Sequence, residues 1–364
     1  MPTKRLPPST DIDHLKHQAK DLLRAFRAGE MQARQRVREF HPRLKGLSDT
    51  ELAGRSFALS DALLSLAREY GYVSWPRLKH VVASDGGGAA PLTHNERLED
   101  GPFRQALDFV DEGNEAALSA HLRAHPDLVH QKVHFEGDNY FTDPTLLEFI
   151  AENPIRQGHL PENICQIARL LLEAGAKNNL EALNETLGLV ASGRIVREAA
   201  AQGPLLDLLC DYGADPGHAL QGAAAHGEFD AARKLVARGA PLDLTVAAAL
   251  NDENQVGVLL AEASQDQLQL ALALAALHGR HRIVGLLLNQ GADPNRYNPP
   301  GGHSHCTALH SAAFAGHLET VKVLVEKGAR GDIGDIHHKG TACDWAEHAG
   351  HHEIVSYLDA KAGQ

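Results

Sequence analysis

A chain of 364 residues, 43% hydrophobic but only 5% aromatic, is long enough for more than one core and builds it from small and aliphatic side chains, which favours packed helices. The net charge of −12 is unevenly spread, with +6 on residues 1–83 and −18 on the rest, which argues against nucleic acid as a partner of the large acidic part. Four scattered cysteines exclude a disulfide framework, the opening residues lack the apolar segment of a secretory signal, and the longest apolar run, around Leu268–Leu277, is about half a membrane span; a cytoplasmic protein without a membrane segment is expected.

In chain order, Leu15, Ala19, Leu22, Leu23 and Phe26 form one apolar face at helical period. A second helical run, Ser60–Val82, opens at Ser60 as a capping residue and breaks around Gly71–Pro76. Residues 1–83 are thus expected to be a basic helical module. "SDGGGAAPLTHN", residues 84–95, has three consecutive glycines and no periodicity and reads as a linker. Those glycines lack the flanking strand and helix of a nucleotide-binding loop.

Residues 96–364 are dominated by one recurring motif. Gly-Ala follows a Leu/Val-rich helical segment at Gly175, Gly213, Gly239, Gly291 and Gly328, at spacings of 38, 26, 52 and 37 residues. The 52 is two units of 26, and "VLLAEASQ" near Leu259 fills the middle with its glycine lost. Within a unit, a short helix opens on a capping Thr (Thr145 with Glu148, Thr307, Thr341) and is followed by a tight turn. A second helix follows, carrying apolar residues at i, i+3, i+4, and its closing Gly takes a left-handed conformation. Neither helix can bury its face alone, so the units must stack into a solenoid of about seven to eight repeats, the first ones degenerate.

These units resemble ankyrin repeats. "TALHSAAFAGHLETVKVLVEKGARGDIGD" (307–335) follows that family's pattern nearly position for position, as do 272–295 and 341–358; 219–241 is weaker and 103–181 weaker still. The resemblance implies an all-α solenoid of helix-turn-helix units and a role in protein binding. Two 26-residue units are too short for the family's β-hairpin finger. "LKHQAKDLLRAFRAG" and "LAREYGYVSWPRLKHVV" are similar to a helical module that precedes ankyrin repeats in bacterial proteins, which implies a bacterial source.

"RYNPPGGHSHCTALHSAAFAGH" (296–317) places four histidines and Cys306 within fifteen residues. The resemblance makes His310, in the Thr-X-Leu-His position, and His317 and His351, at the Gly-His turn, structural; His226 holds that turn in shifted form. His303 and His305 lie on one connection and His337 and His338 on the next. Successive connections lie side by side in a stacked array, so these four form a candidate zinc or other transition-metal set. No Cys-x-x-Cys or His-Glu-x-x-His spacing supports it, and no resident cofactor is expected. Cys306 beside a helix N-terminus, with His310 near, offers a nucleophile-and-base reading.

Two long connections are candidate partner-binding segments. Residues 130–163 carry Asp138, Tyr140 and Phe141, read either as exposed anchors or as a cap on the first repeat. Residues 295–305 place Tyr297 and Asn298 at a tip. Trp345 reads as core or groove lining. The expected function is a scaffold that binds another protein, favouring a basic segment, on an acidic concave edge. The alternatives are a ligand- or metal-binding enzyme on the His-rich connections and an intramolecular contact in which the repeats regulate residues 1–83.

Overall fold

The computed structural model describes residues 12–41, 44, 47–48, 51–52, 57–70, 72, 75, 78–79, 82, 94–135 and 140–362. These fall into two compact units, residues 1–149 with 154–161, and residues 150–153 with 162–364. Of the expected linker, residues 84–93 lie outside the described residues, and His94 and Asn95 belong to a helix.

In the first unit, α1 (Ile12–Arg27), α2 (Met31–Phe40) and α3 (Leu59–Glu69) close a core of their own. The α1 stripe of Leu15, Ala19, Leu22 and Phe26 is buried with Val37 of α2 and Leu66 of α3. Ser60 is not the cap of α3. Asp61 instead accepts the Ala58 amide at 2.8 Å, so the helix begins at Leu59, because a carboxylate in the first turn satisfies that free N–H. Glu69, buried at the end of α3, takes a two-pronged pair from Arg36 at 3.2 and 2.6 Å. The unit continues through α4 (His94–Arg97), α5 (Pro102–Asp111) and α6 (Glu115–Ala124).

The second unit opens with α7 (Ile164–Glu173), α8 (Leu180–Ala191), α9 (Arg194–Glu198) and α10 (Gln202–Asp211). Five helix pairs follow in register with the sequence repeat. They are α11 (Pro216–Ala225) with α12 (Phe229–Ala237), α13 (Leu244–Ala249) with α14 (Glu253–Leu259), and α15 (Gln265–Leu277) with α16 (His281–Asn289). The last two are α17 (Ala308–Phe314) with α18 (Leu318–Glu326), and α19 (Ala342–His348) with α20 (His352–Ala362). First helices stack in one row, α8–α11–α13–α15–α17–α19, and each packs on its own second helix. The row is close because its buried residues are small: Ala247, Ala248, Ala271, Ala275, Ala308 and Ala312 face one another. Larger Ile283, Val284, Leu287, Val321 and Leu324 fill the space beneath from the second helices.

Local signals end and start these helices. The five repeat glycines have φ of +94° to +124°, the left-handed closure that a side chain resists. Where the glycine is lost, α14 instead runs into a 3-10 turn, Leu260–Glu262, and Ser264 with Gln267 caps α15. Asp215, Asp243, Asp252 and Thr341 cap their helices by accepting backbone N–H groups.

Consecutive repeats are also tied at the turn between the two helices. Arg280 Nε donates to Ala249 O at 3.0 Å, His317 Nε2 to Leu277 O at 3.1 Å and His351 Nε2 to Phe314 O at 3.0 Å. Each bond satisfies a helix-end carbonyl of the preceding unit. His278 adds a bond of 2.8 Å to Ala224 O. The ladder requires glycine beneath its rings: at Gly316, with φ +80°, a Cβ would meet His351 Cε1 at 2.7 Å. At Gly328 the φ is +94° but the space is open.

Gly316→Ala is therefore expected to cost more than the about 1–2 kcal/mol of a left-handed alanine alone, whereas Gly328→Ala costs only that; urea unfolding of both variants checks the order. Burial holds the His278 imidazole down at about 4, despite its bond to Ala224, and lowers His317 as well. Such groups stay neutral when folded but protonate near 6.5 when unfolded, so the unfolded chain binds the extra protons. Stability is expected to be flat above pH about 6.5 and to fall between about 6.5 and 4. His278→Gln, which keeps an N–H for Ala224, is expected to flatten part of that slope in urea midpoints measured against pH.

Candidate functional site

The two long connections of the second unit pair with each other through one main-chain bond and one side-chain bond. Within the first, Asn298 N donates to Cys306 O at 2.8 Å, and Tyr297 and Thr307 form an isolated antiparallel bridge. Between the two, Ile336 N donates to His305 O at 2.8 Å and the Tyr297 hydroxyl to Gly334 O at 2.7 Å. The first connection then folds down onto α15. Gly302 lies so close that a Cβ would come within 2.9 Å of the Ala273 side chain, and the next residue, His303, has φ +62°.

The second connection is wound around one carboxylate. Asp335 is fully buried and accepts the amides of His337 and His338 at 2.9 and 2.8 Å on Oδ1. Its Oδ2 accepts the Gly340 amide at 2.9 Å and the Trp345 indole N–H at 3.1 Å. These donors, the His338 amide first, hold the carboxyl far below the usual carboxylate range against the opposing effect of burial. Asp335 thereby fixes the bend of the connection and the orientation of Trp345 on α19.

His310 joins the same region from beneath. Its Nδ1 accepts from the Thr307 amide at 3.3 Å and pairs with the Thr307 hydroxyl at 2.8 Å, while Nε2 faces Gly340 O at 3.1 Å. A ring that accepts at Nδ1 and donates at Nε2 is neutral, and burial lowers its pKa accordingly. Both nitrogens are occupied, so His310 is no base for Cys306. Cys306 itself is buried, donates its thiol to His303 O at 3.3 Å, and has its pKa raised by burial. Desolvation outweighs the hydrogen bonds with Ser311 and Asn298, which act the other way.

The four candidate metal histidines do approach one another. Ring centroids run His303–His305 6.1 Å, His305–His337 5.2 Å and His337–His338 6.4 Å. They form a chain of neighbouring rings, and among the described residues no group of three or more His, Cys, Asp or Glu side chains is placed to hold a metal ion. Beside this chain opens a groove of about 650 Å³. His303 and His305 bound one side and Asp335 and His338 another, with Leu277, Phe314, Trp345 and His348 along the helices. Trp345 lies 5.7 Å from the His305 ring, 5.2 Å from His310 and 5.8 Å from Phe314.

Two expected anchors are not at the surface. Asn298 is 2% exposed, its amide turned inward to Cys306 Sγ at 3.6 Å and Ser311 Oγ at 3.4 Å, because the bridge before Thr307 folds the tip under. Phe141 is 3% exposed and packs on Phe149 at 5.2 Å, on His94 at 5.4 Å and on Phe135 at 6.0 Å. It serves the core of the first unit, while its neighbour Tyr140 is 62% exposed. Asp138 lies outside the described residues. The inserted loop is pinned in that unit by Arg156, which pairs with Asp111 at 2.9 Å, donates to Asn95 Oδ1 at 2.6 Å and lies over the Phe149 ring at 5.0 Å.

Reading the residues alone missed Asp335 and Phe314. Asp335 precedes "IHHKGT", where a carboxylate followed by a turn is a recognisable local signal; Phe314 ends an alanine-rich helix and is 49% exposed.

A family model described as ankyrin repeats (3 copies) matches residues 244–336 and 272–363. Cyclin-dependent kinase 4 inhibitor B of Rattus norvegicus is 32% identical over 151 residues, which is 42% of this chain and 96% of the relative. The protein of that name from Homo sapiens is 32% identical over 151 residues, 42% of this chain and 91% of the relative. Cyclin-dependent kinase inhibitor 2A of Homo sapiens is 39% identical over 85 residues, 23% of this chain, and the chain spans about half of that relative, 52%. With the unit recurring in the sequence, in the stacked helix pairs and in relatives matched almost end to end, the chain belongs to the ankyrin-repeat proteins.

Proposed function

We propose that this chain is a protein-interaction module that holds a basic segment of a partner protein in the groove of its last two repeats. The observation that carries this reading is the groove itself. It combines an apolar and aromatic floor, Leu277, Phe314 and Trp345, with walls made by two connections that hydrogen bonds brace against each other. A preformed concave site of this kind admits a chain segment with little reorganisation. The −18 charge of residues 84–364 favours a basic partner and disfavours nucleic acid.

The relatives are named as inhibitors of cyclin-dependent kinases, that is, as proteins whose action is on another protein. His303, His305, His338 and Trp345 line the groove and take part in partner recognition. No helix of the described residues is long and apolar enough to cross a membrane, and the module works in the cytoplasm. The basic N-terminal helices, similar to those ahead of bacterial ankyrin repeats, accompany it as a separate element.

The test is selection of a displayed random peptide library on the full chain and on a Phe314→Ala/Trp345→Ala variant whose helical circular dichroism and melting are matched. Peptides enriched on the natural chain are expected to lose at least about tenfold in affinity on the variant, the loss of one aromatic anchor or more. Peptides that bind both chains equally, or no enrichment at all, overturn the reading.

A further inference from the structure

The groove carries a second level of information, which rests on the reading above and names the chemistry of the residue it takes. The acidic residues lining it are Asp335 and Asp344, and no Lys or Arg lines it. Asp335 is saturated by four donors and contributes field alone. Asp344 is different. Its Oδ2 takes both cap bonds, from the Thr341 amide at 2.6 Å and hydroxyl at 2.7 Å, and among the described residues Oδ1 has no hydrogen-bond partner. The residue is exposed at the groove edge. Next to it in sequence, Trp345 spends its N–H on Asp335, so what it presents to the groove is ring carbon. A π surface beside an accepting carboxylate, with no competing Lys or Arg, is the recognition set of a planar cation.

We propose that the groove receives an arginine side chain of the partner segment, its guanidinium stacked on Trp345 and hydrogen-bonded to Asp344. A guanidinium suits the site better than an ammonium, being planar, weakly hydrated and able to stack and donate at once. The volume of about 650 Å³ holds that side chain with its flanking residues.

The experiment uses the full chain with Trp75→Phe, so that Trp345 is the sole tryptophan. Its fluorescence is titrated with the octapeptide acetyl-Gly-Ser-Arg-Arg-Leu-Arg-Ser-Gly-amide and with two counterparts, one carrying citrulline and one glutamate in place of arginine. Saturable binding of the arginine peptide is expected, about tenfold or more tighter than the isosteric, uncharged citrulline peptide, with no binding of the glutamate peptide. Asp344→Asn, which keeps an oxygen for the Thr341 cap, is expected to weaken binding about fivefold with an unchanged melt.

Equal affinity for the citrulline peptide, or preference for the glutamate peptide, overturns the proposal. If the library selection yields groove-dependent peptides without arginine, this proposal fails while the interaction role stands. If it yields none that depend on the groove, both fail.

Discussion

Close approach of the first helices in the second unit is the constraint on which the rest depends. A helix pair of about twenty residues buries too little surface to persist alone. Alanines at the facing positions let one pair lie against the next, and the larger aliphatic residues of the second helices seal the space below. The turn between the helices must then be thin enough for a ring of the next unit to reach back. Gly316 is needed there both for its left-handed backbone and for the space that the His351 imidazole occupies. The ladder of Arg280, His317 and His351 converts helix-end carbonyls that would otherwise be bare into rungs between units.

On that frame the last repeats depart from the short units before them in the length of their connections. Where the spacing is 26 residues the helices join by short loops; where it is 37 the connection is long enough to fold back and pair with its neighbour. That pairing brings histidines 30 or more positions apart into ring contact and raises walls beside Trp345 and Phe314. Asp335 is central to it, since one buried carboxylate orders three backbone amides and one indole, and a buried charge persists only when fully paired. The site is thus made by loop length and one polar hub, on a scaffold that is otherwise repetitive.

The first unit solves its packing differently. Its helices α1 to α3 enclose a conventional core, while the segment around Phe135, Phe141 and Phe149 gathers aromatic rings, and the inserted loop returns through Arg156 to Asp111. The loop is thereby tied down by a buried cation that pairs with Asp111 and donates to Asn95 and to the Phe149 carbonyl.

The sequence by itself determined the helical class, the repeat period, the capping residues Thr307 and Thr341, the left-handed glycines, and the membership of His310, His317 and His351 in the repeat pattern. All of these are local: a cap, a period or a positive φ involves residues a few positions apart. Tertiary structure alone decided which side chains face solvent and which meet across repeats. Phe141, which reads either as an exposed anchor or as part of a cap, and Asn298, which reads as an exposed tip, are buried, because rings and bridges contributed by other elements fold over them. Cys306, whose place beside a helix N-terminus offers a nucleophile reading, is a desolvated thiol, since burial depends on how the connection lies on α15 and the local helix end does not set it. The groove has the same origin: the pairing of His305 with Ile336 and of Asp335 with Trp345 rests on the registration of one unit against the next, which no window of sequence contains.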